Sequence, residues 1–245
     1  MTLDYLSLLP ADIEAFAIAL EAGSPEAKVA GCPGWTLPSL GTHLGGVHRW
    51  ARAAIITGAV PQLDPASDPA PADLAGIAAW VRDGGAQLVN TLGEMDPQQP
   101  TWHPFPVEPK VAGLWMRRQA QEASVHRWDA ELAVGLTPTI ETTFAADGID
   151  EYWTVMLPRL TSRERLSVPA SVFATSTTDT NERWIVDGTS GVVLLSAIGV
   201  EPAAEVRGTA LDVLLRIWGR PVADGALQVT GDAAVAGEWL ALGGA

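Results

Sequence analysis

Two hydrophobic periods divide this chain and leave few architectures open. Up to about residue 135, apolar side chains recur at steps of three and four, the repeat of one helix face. Beyond about residue 170 they gather in short β-rich runs. The chain has 245 residues, enough for one large domain or two small ones. The change of period predicts an α+β protein: an N-terminal four-helix bundle, residues 1–142, followed by a small α+β domain, residues 143–245. The boundary is expected near residues 140–145.

In the bundle, Leu6, Leu9, Ile13, Phe16 and Leu20 mark a first helix, in which Pro10 suggests a late start. A loop, Gly31-Cys32-Pro33-Gly34-Trp35, separates it from a second helix carrying Leu37, Leu40, Leu44, Val47, Ala51 and Ile55. Thr36 is its expected N-cap and Gly58 its end. A third helix carries Leu74, Ile77, Val81, Leu88 and Leu92. The Gly84-Gly85 pair weakens it by about 1 kcal/mol per residue. A fourth runs from about Ala112 to Val134 and stops at Gly135. Half of the 18 prolines lie in two connections, at positions 61, 65, 69 and 71 and at 97, 100, 104, 106 and 109. Connections that long permit a crossover in the bundle.

The second domain reads as a helical stretch over about Ala145–Leu160, then β-rich runs at 171–178, 183–186 and 191–196. Asp187-Gly188 is a hairpin-turn signal between two of these runs. A further strand is expected at 203–207, an amphipathic helix at 211–218, a short strand at 227–230 and a closing helix at 233–242.

Composition narrows function. The chain carries 29 acidic against 15 basic residues, a net charge of −14. That balance excludes phosphate-driven nucleic-acid binding and disfavours anionic membranes. The start, Met1-Thr2-Leu3-Asp4, shows neither a basic n-region nor a long apolar core, so no signal peptide is expected. The most apolar stretch, 191–200, is about half a membrane span. With a single cysteine, Cys32, a cytoplasmic protein without a disulfide framework is expected. Cysteine-rich metal clusters are excluded as well. A bound soft metal would need imidazole and carboxylate, and only His43, His48, His103 and His126 offer imidazole.

The fourth helix supplies the chemistry. In Glu122-Ala-Ser-Val-His126-Arg-Trp-Asp129, Glu122 and His126 are four apart and meet on one face. At 100° per residue, Trp115, Glu122, His126 and Asp129 share a sector of roughly 60° beside the apolar stripe. They are expected to point inward, with Arg127 and Glu131 toward water. A buried imidazole and carboxylates need partners, which a metal would provide. The i, i+4 pair is half of a tetrahedral site with an open position; as a simple helix-stabilising pair it needs no metal. Asp129 either takes part or orients His126. The second helix offers the other half through His43 or His48. They lie roughly 140° apart, so they do not share one metal, and His48 is slightly nearer the centre of the stripe. Periodicity leaves that choice open. His103, between Trp102 and Phe105, reads as loop packing, and Cys32 as structural.

These segments resemble the mycothiol-dependent maleylpyruvate isomerase family, within the wider DinB/YfiT-like metal-binding four-helix proteins. The resemblance lies in Gly31-Cys-Pro-Gly-Trp-Thr36, in Leu40-Gly-Thr-His-Leu-Gly-Gly-Val-His-Arg-Trp50 and in Glu122-Ala-Ser-Val-His-Arg-Trp-Asp-Ala-Glu-Leu-Ala-Val-Gly135. It extends to Leu215-Arg-Ile-Trp-Gly-Arg220 and Val229-Thr-Gly-Asp-Ala233, and so spans essentially the whole chain. It implies a DinB-like bundle, a sterol-carrier-like second domain and a divalent metal, usually zinc. The family's ligand pattern on the second helix matches His43-Leu44. The implied metal ligands are therefore His43, Glu122 and His126. An arginine of the second domain is implied to face the metal; Arg220 matches best and Arg216 is the fallback. The resemblance further implies mycothiol as the thiol cofactor and a small electrophilic substrate. The implied reaction is cis–trans isomerisation by thiol addition and elimination. The same ligands also serve a mycothiol S-transferase, or a non-catalytic metal- or small-ligand-binding protein.

Overall fold

A computed structural model describes residues 3–162, 166–195 and 199–244. The chain forms two compact units. One holds the residues up to Pro104 together with Glu108–Pro138; the other holds Phe105–Val107 and the residues from Thr139 on.

The first unit is built on α1 (Tyr5–Ala22), α2 (Leu37–Thr57), α3 (Leu74–Gly93) and α4 (Ala112–Ala133). Helix α1 packs against α3 and α4, and α2 packs against the same two. The pairs α1/α2 and α3/α4 therefore face each other across the bundle diagonal. The segment 94–111 makes the crossover its length permits, whereas the segment 58–73, with four prolines against five, joins two neighbours. This arrangement sets α2 beside α4, which is what the site needs.

Local chemistry explains three departures from the sequence reading. Helix α1 starts at Tyr5, ahead of Pro10, because the Asp4 carboxylate accepts from the Ser7 N–H and caps the first turn. Pro10 is exposed, so the hydrogen bond it forgoes lies on the wet face, where solvent can satisfy the freed carbonyl. Thr36 occupies the N-cap of α2, but its hydroxyl makes no capping bond and lies 3.4 Å from the Ser39 hydroxyl instead. Helix α3 runs unbroken through its glycine pair because the glycines make room for neighbours. A Cβ at Gly84 would meet the Arg49 guanidinium at 2.1 Å, and one at Gly85 would meet Ile13 at 2.7 Å.

The second unit has α5 (Thr142–Glu151), capped by the Glu141 side chain, continuing through a π-helical turn at Tyr152–Met156 into α6 (Leu157–Ser162). Strands β1 (Val172–Thr177), β2 (Arg183–Asp187), β3 (Leu194–Leu195), β4 (Ala204–Gly208) and β5 (Gln228–Gly231) form one sheet in the order β3-β2-β1-β4-β5. The β1–β4 pair is parallel and the others antiparallel. The Asp187-Gly188 signal marks a turn, but not a two-residue hairpin. Asp187 pairs with Leu194, and its side chain folds back to accept from the Thr189 N–H and hydroxyl. The end of that expected run, Ser196, lies outside the described residues.

Helices α7 (Ala210–Ile217) and α8 (Ala233–Ala241) pack on β1 and β4. Their core is aromatic. Trp153 meets Phe173 and Trp239 edge-on at 6.0 Å, Phe173 and Trp239 stack at 5.8 Å, and the Trp153 indole N–H donates to the Thr175 hydroxyl at 3.0 Å. The whole is an α+β chain, with a four-helix unit followed by a five-stranded sheet and its helices. Among the described residues, no helix is long and apolar enough to cross a membrane.

Candidate metal centre

Glu122 and His126 occupy successive turns of α4, and α2 brings His43 against them. His43 Nε2 lies 3.0 Å from Glu122 Oε1, and His126 Nε2 lies 3.3 Å from the same oxygen. The three donor atoms all lie within 4.8 Å of one another. The imidazoles meet nearly edge to face, with centroids 5.0 Å apart at 81°. The other Glu122 oxygen accepts from Arg118 Nη2 at 2.8 Å, one turn earlier on α4. Glu122 thus splits its two oxygens, one toward the histidines and one onto a guanidinium. His126 Nδ1 lies 3.0 Å from Asp129 Oδ2, and the Cys32 Sγ lies 3.9 Å from that same carboxylate oxygen.

The electrostatics follow from burial and pairing. Burial pushes the Glu122 carboxyl up, but Arg118, His126 and His43 outweigh it and hold the group well below the usual carboxylate range. Burial pushes His126 down, while hydrogen bonds to Asp129 and Glu122 and the charge of both carboxylates raise it on balance. One imidazole therefore sits between two anions.

The donor set fits a zinc-type ion. Two imidazole nitrogens and one carboxylate oxygen are what a three-ligand site with an open position uses. Bonds of about 2.0–2.1 Å in a tetrahedron imply ligand–ligand edges of about 3.4 Å. The two edges fixed by Glu122 Oε1, 3.0 and 3.3 Å, lie close to that value. Asp129 lies against Nδ1 of His126; in the neutral ring, a proton held there would leave the Nε2 lone pair for a metal, the usual support for a ligating histidine. Cys32, His126 and Asp129 form a second close group. There the thiol and Nδ1 converge on one carboxylate oxygen, the arrangement of two donors on a shared acceptor.

Within the first unit, His48 and His103 lie outside this group of donor atoms. His48 is fully buried. A Cβ on Gly85 would lie 3.4 Å from its Nδ1, so it faces α3. His103 is buried in the connection before α4, where its carbonyl accepts from Lys110. Arg127 and Glu131 do not face water as expected. Both are largely buried: Arg127 pairs with Glu131 at 2.6 Å and with Asp12 of α1 at 2.7 Å, because α1 covers that side of α4. Arg220 belongs to the second unit, where its backbone N–H donates to the Leu215 carbonyl and its Nη1 to the Trp218 carbonyl. Arg216 lies in the last turn of α7.

Sequence reading missed Arg118, although it stands four residues before Glu122 and the i, i+4 rule would have found it. It also missed Trp35, whose ring lies 5.0 Å from that of His43. Only the folded 31–35 loop brings that contact about.

His48 gives this unit a built-in acid sensitivity. Burial, supplemented by the charge of Arg49, pushes it down to about 4; Glu122 and the Val81 carbonyl oppose the shift, the carbonyl from outside hydrogen-bond geometry. The unfolded chain takes up this proton near pH 6.5 and the folded chain only near 4. Stability from this group is thus complete above about pH 6.5 and lost as pH falls toward 4, by on the order of 3 kcal/mol. Denaturant titration of the wild type against His48→Leu at pH 7 and pH 5 checks this. A stability difference that stays constant between the two pH values contradicts it.

The sequence model of the mycothiol maleylpyruvate isomerase N-terminal domain matches residues 6–131, and that of the MDMPI C-terminal domain matches residues 143–238. No curated protein sequence matches the chain. Among solved structures, a mycothiol-dependent maleylpyruvate isomerase and a histidine-to-alanine mutant of it share this fold, with TM-scores of 0.62 and 0.65. Each is 12% identical and aligns over 94% of this chain and 93% of the other. At that identity the likeness is one of fold.

Proposed function

The chain belongs to the mycothiol maleylpyruvate isomerase family. From that premise we propose that it is a metal- and mycothiol-dependent enzyme catalysing cis–trans isomerisation of a small electrophilic acid by thiol addition and elimination. The observation that carries this reading is the convergence of His43 Nε2, His126 Nε2 and Glu122 Oε1.

In this reading, those three atoms hold a divalent ion of the zinc type. Arg118 keeps the second Glu122 oxygen occupied, so the carboxylate presents a single oxygen to the cluster. Asp129 accepts the Nδ1–H of His126 and fixes the tautomer that offers Nε2. A bound ion would favour the thiolate of mycothiol, whose addition to an electron-poor double bond would leave a single bond free to rotate before elimination restores the double bond and releases the thiol. Cys32 is not assigned that role: its sulfur lies 3.9 Å from an Asp129 carboxylate oxygen, and a neighbouring negative charge disfavours the thiolate. Arg220 is assigned to the substrate carboxylate, for which a guanidinium is the matching partner.

The test is an assay of purified protein with maleylpyruvate, catalytic mycothiol and one equivalent of zinc. The expected result is turnover that needs both thiol and metal, with no net consumption of thiol. Full activity after chelation removes the metal reading. Thiol consumed mole for mole with substrate replaces isomerisation by S-transfer.

A further inference from the structure

A cavity of about 410 Å³ lies in the first unit, and none of the three ligand residues lines it. It is enclosed by α2, α3 and the proline-rich 58–73 segment. Its size falls within the range of small-ligand sites, about 300–1,000 Å³. Its roof is pinned: Asp68, on the connecting segment, accepts from Arg49 Nε and from the Trp80 indole N–H. The Arg49 guanidinium lies 3.8 Å over the Trp80 ring and donates to the Gly45 and Trp80 carbonyls. Two glycines make room for this assembly. A Cβ at Gly45 would meet Trp80 at 2.3 Å, and one at Gly84 would meet Arg49 at 2.1 Å. The wall so built is largely apolar, with Trp80, Leu63, Pro65 and Ala53 lining it.

Arg52 is the exception in that lining. It is half-buried, its Nε donates to the Thr91 hydroxyl at 3.2 Å, and Thr91 is in turn anchored on the Gln87 carbonyl. Among the described residues, no carboxylate pairs with Arg52. A guanidinium has five N–H donors, so four remain for a ligand. The nearby acids do not compete for them: Asp68 is committed to Arg49 and Trp80, and Asp64 accepts from the Ala66 N–H within its own turn. One unspent cation with Asp64 and Asp68 at the rim suits a single negative charge and disfavours a double one.

We propose that this cavity binds a monoanionic carboxylate with an aromatic or aliphatic body, its carboxylate on Arg52 and its body against Trp80, Leu63 and Pro65. The site is separate from the metal ligands and does not depend on the proposed isomerase chemistry.

Isothermal titration of the full chain with 4-phenylbutyrate tests it, with 4-phenylbutanamide as the neutral control. One-site binding of the acid is expected. It weakens about tenfold for the amide and for Arg52→Gln, as loss of a charge-assisted hydrogen bond predicts. It is abolished in Ala53→Phe, which fills the cavity, and unchanged in His126→Ala, which separates this site from the metal reading. Equal binding of acid and amide, an unaltered affinity in Arg52→Gln, or no binding by the wild type overturns the proposal. Circular dichroism of each variant shows that it is folded, and Arg52→Gln, which removes no apolar contact, carries the decision if Ala53→Phe does not fold.

Discussion

His126→Ala is expected to lose bound metal and thiol-dependent turnover together. In the proposed centre the ring supplies one of three ligand atoms, and Asp129 holds it from behind as Arg118 holds Glu122. A metal acting as a Lewis acid contributes several kcal/mol to its reaction, so its loss lowers kcat/KM by about 1,000-fold or more. Asp129→Ala is expected to act on the metal through His126. It leaves the ligand in place but frees its tautomer and lowers metal affinity by about 10- to 100-fold. Metal content by mass spectrometry, read beside turnover across a zinc titration, separates the two. Excess zinc restores Asp129→Ala but not His126→Ala. A metal-free His126→Ala protein that turns over at the wild-type rate contradicts the assignment.

Trp153→Ala is expected to cost the second unit about 3–5 kcal/mol. The side chain is almost wholly buried, meets Tyr152, Phe173 and Trp239 edge-on, and uses its N–H on Thr175. Truncation leaves a large cavity and an unpartnered hydroxyl in one step. Trp153→Phe keeps most of the apolar volume and is expected to cost less than half as much. Denaturant unfolding followed by far-UV circular dichroism measures both. A loss below about 1 kcal/mol in the alanine variant means that the core repacks around the vacancy.

Five of the ten tryptophans of the sequence pack against one another in ways the sequence did not reveal. Trp153 and Trp239 build the core of the second unit, and Trp50 packs against Trp102 and Trp115 in the first. Tryptophan has no periodic signature of its own, and its partners here come from distant segments. The helices of the bundle were legible because each buries a continuous stripe, which writes a 3.6-residue repeat into the chain. The short strands were legible in outline but not in their turns. Asp187-Gly188 signals chain reversal, whereas the pairing of Asp187 with Leu194 sets the length of the loop.

For the candidate metal centre, the sequence by itself determined that Glu122, His126 and Asp129 share one face of α4, because 3.6 residues per turn fixes azimuth along a single helix. It also limited a further imidazole ligand to three residues. Helical periodicity did not determine which histidine of α2 joins them, although the family resemblance implied His43. A helical wheel ranks residues against one stripe, but α2 packs on two helices. His48 points into the contact with α3 that the glycines open, and His43 points to α4. Only the diagonal placement of α1 and α2, made by the connections and by α1 covering the far side of α4, decides which face meets which neighbour. The same packing buries Arg127 and Glu131, which a wheel drawn for one isolated helix assigns to water.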